Sequence, residues 1–309
     1  MAGEIEEKND WKVVLQFFIV PLGLVAVLVG VFFGLQVLRS RHPDPRATLG
    51  RLKGPSRFLL PWAGDPKRWQ SGYDLSLLVR SGPDDGAEAL IPELVAAFRD
   101  AGGDLKLRRY LALALGRSGD GRAGPALREG LQDPDDATRL FCAWGLMQIA
   151  DRSALPELRA AAADPDPGVR TMAVFALGQM GDREGAGALK TALGDAAIGV
   201  RWNAALSLAR LGDASGEAVL IGILDGGEAG TGQASGTGQA SGTGQVSGTE
   251  GAGDAAAPLN AIRALALLKD DAARAALKRA AESGRTEELR GAARLALEAI
   301  TAEGRDRLP

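Results

Sequence analysis

Apolar residues recur with helical spacing through the centre of the chain, and the whole pattern repeats every 31 residues. Apolar side chains fall three, seven and ten residues after Arg170 and Arg201, which places them on one face of a helix. Four columns keep this period over four units. They are Arg108, Arg139, Arg170 and Arg201; Leu115, Leu146, Leu177 and Leu208; Asp120, Asp151, Asp182 and Asp213; and Leu127, Leu158, Leu189 and Leu220. Such a period is typical of a repeat array.

Each unit predicts two helices. In one unit, residues 153–163 predict a first helix, and Pro and Gly within residues 164–168 interrupt it. Residues 169–180 then predict a second helix that ends at a glycine. One pair of such short helices buries too little surface to be stable alone, so neighbouring pairs must stack. The predicted fold class is therefore all-α, an α-solenoid of stacked helix pairs.

The same pattern extends beyond the four clearest units. Second helices are also predicted near Arg68, Pro258 and Arg290, which gives seven in all. The predicted solenoid covers residues 66–302, and the charged residues 303–309 form a tail that serves as a polar cap.

The clearest unit reads DPDPGVRTMAVFALGQMGD, residues 164–182, and it recurs as DPDDATRLFCAWGLMQIAD and DAAIGVRWNAALSLARLGD. This motif resembles the HEAT-like repeats, specifically the short bacterial form also seen in phycobilisome chromophore lyases. The resemblance implies second helices that line a concave surface. It also implies a structural ladder, in which turn aspartates bond nearby amides and the arginines of their own or the next repeat. The ladder residues are Arg108, Arg139, Arg170, Arg201, Asp133, Asp164 and Asp195. The alternative is a row of arginines that binds anions.

An uncharged apolar run covers residues 13–38 and is long enough to cross a bilayer as a helix. A cleaved signal peptide is the alternative, but residues 1–12 form a short acidic tail and the run exceeds the usual apolar stretch. The flank after the run, within the basic linker 39–65, carries more Lys and Arg than the flank before it. We therefore expect a single-pass anchor in the lipid bilayer, with the solenoid on the cytoplasmic side.

One insertion interrupts the array at about residues 226–256. It contains GTGQAS twice and GTGQVS once, and this composition offers little apolar surface to compensate for the entropy of ordering. The sequence predicts a disordered loop. A phosphate-binding glycine loop is the alternative, but no Gly-Lys-Ser/Thr follows.

A second apolar stripe is predicted on the side of the second helices that faces away from the core. It occupies the position five residues after the arginine column, and Trp202 lies on the same side, one residue after its arginine. Such stripes mark partner sites. The predicted partner-binding residues are Leu113, Trp144, Phe175, Trp202 and Leu206, with a polar rim of Arg117, Gln148, Gln179 and Arg210. The alternative is that adjacent second helices pack together through these side chains.

Composition leaves little material for catalysis. The chain has one histidine, His42, and one cysteine, Cys142, so a histidine-rich metal site and a Ser-His-Asp triad are hard to build and no intramolecular disulfide can form. Cys142 falls in a core column, where cysteine acts as a small apolar residue. We expect no catalytic residue, metal site or cofactor.

The predicted function is a membrane-anchored, non-catalytic scaffold that binds membrane-associated protein partners through the concave face. A chromophore-lyase-like enzyme of the same fold is one alternative, and a nucleic-acid-binding HEAT-like protein is another. Residues 81–309 carry a net charge of −7, because the total of −3 includes +6 over residues 39–80 and −2 over residues 1–12. This charge repels phosphate, so no nucleic acid is expected.

Overall fold

A computed structural model describes residues 45–52, 66–79, 87–226 and 256–305. Contacts divide the chain into two units, Met1–Thr48 and Leu49–Pro309. Of the first unit, only the start of helix α1 (Pro45–Leu52) is described. All further description concerns the second unit.

The described part of the second unit is helical and contains no strand. After α1, even-numbered helices are the second helices of the repeat and odd-numbered helices are the first helices. The second helices are α2 Pro66–Leu78, α4 Leu105–Arg117, α6 Asp136–Gln148, α8 Pro167–Gln179, α10 Ile198–Arg210, α12 Ala256–Leu268 and α14 Glu287–Arg305. The first helices are α3 Ile91–Asp100, α5 Gly124–Gly130, α7 Leu155–Ala161, α9 Ala186–Ala192, α11 Glu217–Asp225 and α13 Asp271–Ser283.

This alternation confirms the predicted all-α solenoid. The helix predicted over residues 169–180 is α8, which begins at Pro167 after an aspartate cap. The first helix predicted over residues 153–163 is a short 3-10 turn, Arg152–Ala154, followed by α7. Proline and the capping aspartates determine where these helices begin. Proline is tolerated there because a residue in the first helical turn has no N–H partner within the helix.

Capping side chains fix where the second helices begin. Asp104, Asp135 and Asp166 each accept a hydrogen bond from a backbone N–H three residues on, at 2.9–3.1 Å. These bonds satisfy amides that have no partner within the helix. The equivalent residue before α10 is Ala197, which makes no such cap.

The ends of the second helices share one conformation. The residue just before the periodic aspartate column has a positive φ, between 54° and 78°. The N–H groups of Asp151, Asp182 and Asp213 then donate to the core leucine carbonyl five residues earlier, whereas the Asp120 N–H donates to Oγ of Ser118. The residues with this φ include Gly119, Ala150, Gly181 and Gly212. Glycine suits this left-handed conformation, whereas Ala150 adopts it at a steric cost.

Both periodic leucine columns form the core. Leu115, Leu146, Leu177 and Leu208 on the second helices are fully buried, and so are Leu127, Leu158, Leu189 and Leu220 on the first helices. Consecutive second helices pack directly on one another from α2 to α14. Small residues allow this approach, since a Cβ on Gly178 in α8 would lie 2.8 Å from the Cα of Ser207 in α10.

The array continues in register across the insertion. Residues 227–255 lie outside the described residues, and so does almost all of the loop predicted there. Helix α12 packs on both α11 and α10, just as α10 packs on α9 and α8. The repeat is therefore completed by the chain on either side of the insertion.

The predicted membrane segment, residues 13–38, also lies outside the described residues. Among the helices that the structure does describe, none combines the length and the apolar character needed to cross a bilayer.

Candidate interaction face

The nine residues predicted for the stripe lie on four consecutive second helices, α4, α6, α8 and α10. We count positions from the arginine column as zero and call positions +1, +5 and +9 of the second helices the stripe face. For α12 the zero position is Pro258. Trp144, Phe175, Trp202 and Leu206 are half-buried on this face.

Leu113 does not share this exposure. Its side chain is only 2% exposed and belongs to the core. The structure therefore corrects the expectation that Leu113 lies on an open stripe. Helices α4 and α6 approach so closely that a Cβ on Gly116 would lie 2.6 Å from the Cα of Gly145.

Trp144 combines packing with exposure. One edge of its indole ring lies against the backbone of Gly116, where a Cβ would be 2.9 Å from the ring. The rest of the side chain keeps part of its surface accessible. The helix-packing alternative thus accounts for the inner edge of the ring, and the accessible part remains open to a partner.

Exposed leucines extend the stripe face beyond the predicted residues. Four large apolar side chains are prominently exposed in the described part of the chain: Leu77, Leu105, Leu267 and Leu295. Three of these four lie on the stripe face, since Leu77 and Leu267 occupy position +9 and Leu295 occupies position +5. The sequence places Leu77, Leu267 and Leu295 in these columns, but only the structure shows that their side chains are exposed.

An aromatic cluster lies at the α2 end of the same face. The rings of Trp69 and Tyr110 stack at 5.8 Å between centroids, and Tyr73 meets Tyr110 edge to face at 5.4 Å. The Lys106 ammonium lies 5.6 Å from the centre of the Trp69 ring. Burial raises the pKa of the Tyr110 hydroxyl. Trp69 and Tyr73 occupy positions +1 and +5 of α2. The predicted set of stripe residues did not include these two aromatic residues.

The four predicted rim residues differ in their surroundings. Gln148 and Gln179 are exposed. Arg117 donates from Nη1 to the backbone carbonyl of Ser76 at 3.0 Å. The Arg210 guanidinium lies 5.7 Å from the centre of the Phe175 ring, a cation–π geometry, and burial lowers its pKa.

The arginine ladder connects successive repeats. Arg139 donates from Nε and Nη2 to the two carboxylate oxygens of Asp164, both at 2.8 Å, and Arg170 binds Asp195 in the same way. Arg108 pairs with Asp133. Each carboxylate thus takes its arginine from the preceding repeat. The aspartate also accepts a backbone N–H two residues on, as Asp164 does at 2.9 Å.

Three of the ladder arginines also bind their own repeat. Nη1 of Arg139, Arg170 and Arg201 donates to the carbonyl six residues earlier, at 2.8–2.9 Å. Arg290 makes the same bond in α14, at 2.7 Å. The arginine side chains therefore fix the turn within a repeat as well as the interface to the next, which favours a structural role over anion binding.

A second ladder was missed by the sequence reasoning. Basic residues on the first helices pair with the periodic aspartates that follow the next second helix: Arg159 with Asp182 at 2.6 Å, and Lys190 with Asp213 at 2.8 Å. Arg128 and Asp151 form the same pair at 3.8 Å. The signal was present, because Arg128, Arg159 and Lys190 also stand 31 residues apart.

An open cavity of about 420 Å³ lies at the turns that join the paired helices. Its lining includes Leu105, Arg139, Asp135 and Asp166. These carboxylates are already engaged, because Asp135 and Asp166 cap α6 and α8. Among the described residues, no group of three or more His, Cys, Asp or Glu side chains is arranged to hold a metal ion.

Cys142 is fully buried on α6, as its column predicted. A Cβ on Gly130 would lie 2.4 Å from its sulfur, so α5 covers the thiol closely. Burial raises the pKa of the thiol, which keeps it protonated.

These features define an α-solenoid built from repeated helix pairs, held together by a leucine core and two ladders of ion pairs. A family model for HEAT repeats matches residues 91–171 and 155–234. This match agrees with the resemblance of the motif to HEAT-like repeats. No curated protein matches the sequence.

Solved structures share the fold at low sequence identity. YibA from Escherichia coli is 16% identical, with 84% of this chain and 83% of that chain covered and a TM-score of 0.53. In the complex of CpcE and CpcF of phycocyanin lyase from Nostoc sp. PCC7120, the matched chain is 17% identical, with 83% and 94% covered and a TM-score of 0.49. A designed armadillo repeat protein in complex with the peptide (KR)4 is 17% identical, with 84% and 99% covered and a TM-score of 0.44. The likeness to YibA shows the fold alone, and the two lower scores support no inference.

Proposed function

We propose that this protein is a membrane-anchored, non-catalytic scaffold that binds a protein partner through the stripe face. The observation that carries the proposal is the exposure of Leu77, Leu267 and Leu295 on the same stripe face as the half-buried Trp144 and Phe175. Exposed apolar groups that follow one face over several helices are typical of interaction sites. A solenoid also suits this role, because stacking creates an extended surface from many repeats.

The core and the ladders leave this face available. The buried leucine columns and the Arg–Asp pairs hold the array together through other positions of the helices. The exposed leucines of the stripe face can therefore contribute to binding without being required for stacking.

A pair of matched variants tests the face. Leu267→Ser and Leu295→Ser together remove two apolar contacts, whose side chains are 52% and 68% exposed. Ala272→Ser with Ala275→Ser is the control, because both side chains are exposed on the first helix α13, off the stripe face. Crosslinking in native membranes followed by mass spectrometry is expected to lose a specific partner in the double variant and keep it in the control. Equal recovery from both, with unchanged circular dichroism, would contradict the proposal.

Anchoring through residues 13–38 is the second part of the proposal. The length of the uncharged run and the basic flank that follows it support a single span with the solenoid on the cytoplasmic side. The expected result is that the full chain stays in the membrane pellet at alkaline pH, whereas a chain lacking residues 13–38 does not. Protease added outside sealed cells should leave the repeats intact, and their digestion would contradict the orientation.

A further inference from the structure

The charge of the stripe face differs from that of the rest of the array. Positions +1, +5 and +9 of the seven second helices comprise 21 residues, which include four arginines and no Asp, Glu or Lys. The four arginines are Arg109, Arg117, Arg210 and Arg263. Residues 81–309 as a whole have an excess of acidic groups. The face is therefore positive within an acidic body.

Two of these arginines are already used by the fold. Arg109 donates from Nε to Asp135 at 2.8 Å and from Nη2 at 2.5 Å. Arg117 bonds the carbonyl of Ser76. Neither is a strong candidate to attract a partner.

Arg210 and Arg263 behave differently. Both are exposed on the consecutive second helices α10 and α12, and neither makes an ion pair with any residue that the structure describes. Arg210 lies over the Phe175 ring, where burial lowers its pKa with no carboxylate to compensate. The most buried arginines of the ladders, by contrast, meet an aspartate.

The surroundings of these two cations are apolar. Trp202 and Leu206 are half-buried on α10, and Leu267 is 52% exposed one turn after Arg263. A ligand that pairs with the arginines must therefore also offer apolar side chains. Nucleic acid fits less well, since phosphate backbones need many cations and the body around the face is acidic.

We propose that the α10–α12 part of the stripe face binds a protein segment in which carboxylate side chains alternate with apolar ones. The carboxylates pair with Arg210 and Arg263, and the apolar side chains cover Phe175, Trp202 and Leu267. This inference rests on the proposed scaffold function and adds the chemical class of the partner. Complementary charge also raises the association rate and excludes basic segments.

The probe is a set of three labelled 15-residue peptides that carry leucines on one helical face and only Glu, only Gln or only Lys on the other. Binding to the full-length chain is measured by fluorescence anisotropy at several salt concentrations. The Glu peptide is expected to bind about tenfold more tightly than the Gln peptide, as for one or two partly exposed charge-assisted contacts. Its affinity should fall with salt, and the Lys peptide should bind least.

Charge reversal supplies the decisive variant. Arg210→Glu with Arg263→Glu should invert the preference, so that the Lys peptide binds more tightly than the Glu peptide. The matched control is Arg274→Glu with Lys278→Glu, because both residues are exposed cations on the first helix α13, off the stripe face. The control changes the net charge by the same amount and should keep the preference for Glu.

The outcomes separate this inference from the scaffold function. Equal binding of the three peptides overturns the acidic partner but leaves an apolar scaffold face intact, which the leucine variants test independently. No binding of any peptide, or an equal effect of the control variant, also overturns the inference. Tighter binding of single-stranded RNA or of phosphatidylserine vesicles, lost on reversal at Arg210 and Arg263, would assign the face to that class instead.

Discussion

Replacing Asp164 by alanine is expected to destabilise the array much more than removing a similar ion pair from its surface. The carboxylate binds Arg139 through two parallel hydrogen bonds of 2.8 Å and also accepts the Asp166 N–H at 2.9 Å. The Arg139 and Asp164 side chains are only 12% and 10% exposed. The substitution therefore removes three bonds and leaves a cation with little access to water.

The magnitude follows from burial. Removing one partner of a buried pair costs roughly 3–5 kcal/mol, because the remaining charge is uncompensated. Arg139 keeps its bond to the carbonyl of Asp133 and retains some exposure, which reduces this penalty. We expect a loss of about 2–3 kcal/mol in the free energy of unfolding. Asp164→Asn should lose nearly as much, since its amide turns an N–H toward the guanidinium.

The control is Glu129→Ala. Glu129 binds Arg99 with the same bidentate geometry, at 2.9 and 2.7 Å, but the two side chains are 58% and 48% exposed. Exposed pairs contribute about 0–1 kcal/mol. Geometry is thus matched between the two pairs and burial is the variable.

Urea unfolding followed by far-UV circular dichroism measures both variants against the unmodified chain. Repeat arrays can lose cooperativity, so the slope of the transition is compared as well as the midpoint. Equal destabilisation by Asp164→Ala and Glu129→Ala, or a loss below about 0.5 kcal/mol for Asp164→Ala, would refute the argument that burial determines the strength of the ladder.

Three further predictions concern helix packing, helix ends and pH. Gly178→Ala should lower the midpoint of thermal unfolding, because its Cβ would lie 2.2 Å from Oγ of Ser207, whereas Gly187→Ala, with open space around it, should not. Ala150→Gly should raise the free energy of unfolding by roughly 0.5–1 kcal/mol in urea, since φ is 54° there, and no gain would contradict the assigned strain. A lysine ammonium and a serine hydroxyl lower the pKa of Asp213 to about 2, below its unfolded value near 4. Its stabilisation is therefore present above about pH 4 and lost as the pH falls toward 2, and Asp213→Asn should flatten the stability profile in that window.

The periodic columns predicted the helices and the core because each column has a uniform environment. Leu146 and Leu177 are buried for the same reason, namely that each helix meets the same neighbours one repeat later. The turn aspartates were likewise predictable, since a short polar side chain before a helix caps it. Periodicity thus determines whatever is identical in every repeat.

Exposure on the stripe face was harder to predict because it depends on what differs between repeats. Leu113 and Phe175 occupy the same position, yet Leu113 is 2% exposed and Phe175 is half-buried. The pairing of Arg159 with Asp182 joins residues 23 positions apart, across two helices, and a column of basic residues does not by itself indicate its partner.

The distribution of arginines explains how one array can serve both stability and recognition. A ladder arginine such as Arg139 lies at the start of its helix, where the next repeat supplies a carboxylate and the preceding turn supplies a carbonyl. Arg210 lies at the opposite end of its helix, where its neighbour in the preceding helix is an aromatic ring. A cation without a carboxylate adds little to stacking, so its charge is available to a partner. The same residue type is therefore structural in Arg139 and suited to binding in Arg210, and the difference follows from what the neighbouring repeat presents to it.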